Sequence, residues 1–122
     1  MKTYEKRSKH ATTLDFHRIW MSGDMYHART IAGLFCASKI GQTEIPFSDV
    51  HRENPEASES IGRVMHFIVE MMAAHHAGLL DNDLARSLFR STFSEWRGNL
   101  SIFAFSDTLF HFRRSIEAAV KF

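Results

Sequence analysis

Histidine is the residue type in this chain best suited to chemistry. Eight are present: His10, His17, His27, His51, His66, His75, His76 and His111. An imidazole titrates near neutral pH, so it can pass protons, and its neutral form ligates zinc or iron. His66 and Glu70 stand four residues apart and therefore share a helix face, a spacing that metal sites use. Together with His75 and His76 they are the ligands to weigh for a metal-binding enzyme or sensor. The supporting patterns are missing, however. Di-iron bundles repeat a Glu-x-x-His pair on facing helices, and many zinc proteases carry His-Glu-x-x-His. Neither occurs here. The simpler expectation is that His66 pairs with Glu70, while His75 and His76 complement the negative end of the helix before Gly78. No metal and no cofactor is expected.

Cys36 is the only cysteine. That excludes an intramolecular disulfide and a four-cysteine zinc site, and it suits a reducing, cytoplasmic setting. A nucleophilic thiolate needs a nearby base and an exposed, electropositive environment. Cys36 falls near the core face of a helix, so an inert buried thiol is expected. Dinucleotide, Walker and nucleophile-elbow motifs are absent. Asp81 and Asp83 lack the glycine and later glutamate of a calcium loop and read as helix caps. No catalytic residue is assigned.

Arginine and aromatic residues carry what remains. Arg86, Arg90 and Arg97 fall near one stripe of a helix, and Arg113 and Arg114 are adjacent on the last one. They could hold phosphate or an acidic ligand, but a solvated face paired with Glu and Asp is the simpler reading. The net charge of +1 gives no global pull toward nucleic acid. The series Phe89, Phe93, Trp96, Phe103, Phe105, Phe110 and Phe112 is dense for a small domain. Core packing must absorb most of it, and the surplus points to a partner interface. The contact residues expected are Arg86, Arg90, Phe103, Phe105, Phe110, Arg113 and Arg114. The function expected is a non-enzymatic helical protein–protein interaction module, bacterial or phage-borne, binding itself as a homodimer or a foreign protein. The alternatives are the metal-binding enzyme or sensor and a nucleic-acid or anionic-ligand binder using the helix arginines.

These residues need a frame. The chain has 122 residues, 44% of them hydrophobic, with two Pro and six Gly. That favours one domain built of long helices. Residues 1–11 read as a flexible basic arm with no apolar core, unlike a secretory signal. Residues 12–122 read as a single helical domain. No apolar run approaches the roughly 20 residues that span a bilayer, so no membrane insertion is expected. The fold expected is all-α, a compact bundle of about five helices with a central antiparallel helical hairpin.

The hairpin is the clearest element. Asn54 can cap its first helix, Pro55 suits the first turn, and Ile61, Val64, Met65, Ile68, Met71, Met72 and His75 share a face. Gly78 stops it and Asp81 caps the second, which carries Leu84, Leu88, Phe89, Phe93 and Trp96. Ahead of the hairpin, Thr12 or Thr13 can cap a short helix over Leu14–Met21, with Trp20 on its apolar side. Ser22 opens a second helix to about Ile40, with Met25, Ala28, Ile31, Ala32, Phe35 and a snorkelling Lys39 facing inward. Residues 41–54 read as irregular, with Phe47 pinning them to the core. Gly98 and Asn99 mark a break, and a last helix opens at Ser106 or Asp107 with Leu109, Phe112, Ile116 and Val120 on one face.

The run Ala11-Thr-Thr-Leu-Asp-Phe-His-Arg-Ile-Trp20, followed by Ser22-Gly-Asp-Met25 and Ala28-Arg29, resembles the opening of the DUF4760 family. So does Arg63-Val-Met-His-Phe-Ile-Val-Glu70 followed by Ala77-Gly-Leu-Leu-Asp81 and Trp96. The likeness covers roughly Thr12 to Arg114. It implies a helical fold and no assigned activity, and it places Glu70 at a fixed acidic position, expected to be structural with Arg29 or Arg63 as its partner. Family members often carry a membrane segment ahead of this domain; here the preceding residues are polar and basic.

Overall fold

The longest helix begins where the chain cannot easily be anything else. Asn54 accepts the Ala57 N–H on its side-chain oxygen at 3.1 Å, and Pro55 occupies the first turn. The helix then runs Pro55–His76 and buries Ile61, Val64, Met65, Ile68, Met71 and Met72. It ends in a Schellman turn, in which the Leu79 N–H reaches the Ala74 carbonyl and the Gly78 N–H reaches that of His75. Gly78 sits at φ 73°, a conformation that a side chain would strain. Asp81 then accepts the Leu84 N–H at 3.1 Å and starts the next helix.

The computed structural model describes residues 3–104 and 110–121. In chain order these form α1 (Thr3–Trp20), α2 (Gly23–Ser38), β1 (Ile45–Pro46), α3 (Phe47–Glu53), α4 (Pro55–His76), α5 (Asn82–Leu100), β2 (Phe103–Ala104) and α6 (Phe110–Ala119). The described residues are all-α apart from β1 and β2, which pair in parallel with Ile45 opposite Phe103.

The broadest packing of α4 is against α2, then α6 and α3, rather than against its chain neighbour α5. Side-chain size accounts for this. Ala28 and Ala32 are buried on α2 and let the backbones approach, whereas Phe67 and Phe89 stand between α4 and α5 with ring centroids 5.9 Å apart. Trp20 is the hub of the resulting aromatic core. Its ring meets Phe67 at 4.9 Å and both Phe93 and Trp96 at 6.4 Å, tying α1 to α4 and α5.

Four expectations change. Residues 3–11 are not an arm but the start of α1, which is one helix through Trp20. Thr13 therefore caps nothing; it is fully buried, donates to the Lys9 carbonyl at 2.8 Å and accepts the Asp81 N–H at 2.9 Å, clasping α1 to the start of α5. Residues 41–54 are not wholly irregular. Pro46, with a fixed φ, starts a helix that buries Val50, and Phe47 packs on Phe103 at 5.8 Å. Gly98 and Asn99 do not break α5, which continues until Leu100 is buried.

Candidate functional site

The expected contact residues divide three ways. Phe103 is 1% exposed, stacked on Phe35 at 6.3 Å and edge-on to Phe47, so it is a core residue and not a partner contact. The reason is the β1–β2 pairing, which sequence periodicity could not reveal: it folds the 103–104 segment inward beside α2 and α3. Phe105 lies outside the described residues, and of Phe110 only the helical backbone is described. Arg86, Arg90, Arg113 and Arg114 are exposed on α5 and α6. Part of that face is self-neutralised: Arg86 lies 3.5 Å from Asp83, and Arg97 bridges to Glu117 of α6 at 3.4 Å.

The histidines are dispersed into local pairs. His66 Nε2 lies 3.0 Å from Glu70 Oε1 on the α4 surface. His75 Nδ1 instead faces Asn82 Oδ1 at 3.1 Å. Among the described residues, no three His, Cys, Asp or Glu side chains come together as a group that could hold a metal ion. Neither arginine expected beside Glu70 reaches it: Arg63 pairs with Glu59 at 3.1 Å, and Arg29 goes elsewhere. Cys36 is buried, and desolvation pushes its thiol up to about 11, far from the reactive thiolate range.

Arg29 marks the site that sequence reasoning missed. Its guanidinium lies over the Trp20 ring at 4.9 Å and over Tyr26 at 5.7 Å. The first contact comes from the end of α1, and the second from one turn earlier on α2. Stacking of this kind holds the planar group and keeps its charge next to aromatic faces. Among the described residues, Arg29 Nε is the one buried side-chain nitrogen or oxygen with no hydrogen-bond partner.

Around this guanidinium α1, α2 and α5 enclose a cleft of about 340 Å³. Its aromatic surface comes from Trp20, Tyr26 and Trp96, with Met21 and Leu88 beside them. Its polar groups are His17, Arg29, Thr30, Thr92, Glu95 and Asn99. Glu95 makes no ion pair with any described residue. The cleft thus presents a cation from α2 and an anion from α5 above aromatic rings, and Tyr26 at its edge is 65% exposed. Such a constellation has the groups to hold and orient a ligand.

The sequence did contain a signal. Tyr26 and Arg29 are one helical turn apart, and Trp20 precedes the Ser22 cap by two residues. What could not be read was that the α1–α2 corner turns Trp20 back beneath Arg29. Ser22 makes that corner, accepting the Met25 N–H at 3.4 Å and donating to the Ile19 carbonyl at 2.7 Å. A second hollow, of about 530 Å³, lies between α4 and α6, where His76 and Arg114 sit beside Val69 and Met72. Among the described residues, no helix is long and apolar enough to cross a membrane. Searches of family models, of curated proteins and of solved structures found no match to this chain.

Proposed function

We propose that this protein is a non-enzymatic helical interaction module whose working surface is the α1–α2–α5 corner. The carrying observation is the stacked Arg29 in an open cleft beside an exposed Tyr26. Arginine and aromatic residues dominate binding hot spots because they combine area, rigidity and directed donors. Here the guanidinium is already held over Trp20, so a partner does not have to order it. The partner is a protein, either a second copy of this chain or a foreign one, meeting the cleft with a carboxylate-bearing segment. α4, with α2, α3 and α6 packed on it, serves as frame, with Glu70 as a surface residue of it. The resemblance to the DUF4760 family adds nothing about the partner. A single buried cysteine agrees with a cytoplasmic setting.

Site-specific photo-crosslinking in the native host tests this. A crosslinker at Tyr26 is expected to capture a partner, and one at Arg90 to capture none. Capture at Arg90 alone would return the interface to the α5–α6 arginines. Light scattering of the purified protein then separates self-association from a foreign partner.

A further inference from the structure

We infer that the α1–α2–α5 cleft is a binding site for a free amino acid with an apolar side chain, taken up as its zwitterion. This goes beyond the protein-partner reading and is measured on the isolated chain, so either can fail without the other.

The first observation is the unengaged guanidinium. An arginine presents its N–H donors as a planar fork that fits a carboxylate. Arg29 makes no ion pair with any described residue; its Nε is buried, and Trp20 and Tyr26 hold the plane of the group, so its Nη end is the part left for a ligand. A ligand carboxylate would pair with that end. The second observation is Glu95, which reaches the same cleft from α5 and suits an ammonium group. The third is size and lining. A volume of about 340 Å³ lies at the small end of ligand sites, and Met21, Tyr26 and Leu88 give an apolar body somewhere to rest. One carboxylate, one ammonium and an apolar group on a small frame describe an α-amino acid.

Titration of the isotope-labelled protein with three probes decides the matter: L-phenylalanine, 3-phenylpropionate, which lacks the ammonium, and phenethylamine, which lacks the carboxylate. The expected result is saturable shifts of amides around Arg29 and Glu95 with L-phenylalanine, and at least about tenfold weaker binding of either truncated probe. Arg29→Lys keeps the charge but removes the fork and should weaken L-phenylalanine by about tenfold or more. Glu95 is exposed, so Glu95→Gln should fold normally; it should weaken L-phenylalanine severalfold and leave 3-phenylpropionate unchanged. The inference is overturned by the absence of saturable shifts at about 10 mM, a concentration at which even millimolar affinity shows. It is equally overturned if the three probes bind alike, if the shifts map to α4 and α6, or if Glu95→Gln changes nothing.

Discussion

Two aromatic regions of this molecule look alike in sequence and end differently in space. At one end Phe35, Phe47 and Phe103 close on one another beneath the β1–β2 pairing, and Phe103 is left with 1% of its surface exposed. At the other, Trp20 and Trp96 meet at 6.4 Å and are themselves buried, yet a half-buried Arg29 lies over Trp20 and Tyr26 stands open beside it. Three elements meet around Phe103, each bringing an apolar residue. At the Trp20 corner the elements bring charged and polar groups that packing alone does not satisfy. Aromatic density therefore measures how much core a chain can build. Where it leaves unpaired polar atoms over that core is the better guide to a binding surface.

The largest effect that tests this contrast is Phe103→Ala. Removing a fully enclosed ring should cost about 3–5 kcal/mol in chemical denaturation. A loss below about 1 kcal/mol would mean the residue is not core and would revive it as a partner contact. Ile68→Ala, at 0% exposure on α4, should cost about 2–5 kcal/mol for the same reason.

Next is the clasp behind the open corner. Thr13→Val keeps the shape but leaves the Asp81 N–H without its acceptor, which should cost about 1–3 kcal/mol. Thr13→Ser should recover most of that loss. Equal losses in the two variants would show that the methyl group, not the hydroxyl, holds α1 to α5.

Asp81 gives a smaller effect with a pH signature. Its carboxyl is held below the ordinary range chiefly by the Leu84 N–H, helped by His10, whose Nδ1 lies 3.6 Å away. A carboxylate lowered on folding stabilises the native state above its unfolded pKa of about 3.9, and that contribution disappears as pH falls through the lower native value. Asp81→Ala should cost about 1 kcal/mol at neutral pH. Asp81→Asn keeps the cap, so it should lose less there and flatten the decline in stability below about pH 4. The smallest effect belongs to the surface arginines. Arg90→Ala and Arg113→Ala should each stay within about 0.5 kcal/mol of the parent.

Much of the frame was legible because it depends on local chemistry. Asn54, Gly78 and Asp81 act at helix ends through their own side chains or backbone, and the α4 stripe repeats at helical spacing. The Ser22 cap and Lys39, which reaches over Phe35 to Glu53 at 2.7 Å, were legible for the same reason. The failures share a different cause. Thr13 looks like a cap because threonine often is one; its true acceptor role is to a residue 68 positions away. The first turns of α1 are polar, and their helicity has no apolar stripe to announce it. Phe103 reads as a surface residue in the sequence because a two-residue strand leaves no periodicity to reveal its burial. Arg29 reads as a partner for Glu70, since sequence shows charge but not the Trp20 ring beneath it.

The central claim is that recognition resides in the Arg29 cleft and not in the α5–α6 arginines. Its most direct test is partner capture from the native host with three baits: the parent, Arg29→Gln, and the combined Arg90→Gln, Arg113→Gln and Arg114→Gln variant. Each bait is first shown to unfold with the parent's denaturation midpoint. Arg29→Gln is expected to lose the captured species and the triple variant to retain it. Retention by Arg29→Gln together with loss in the triple variant would contradict the claim.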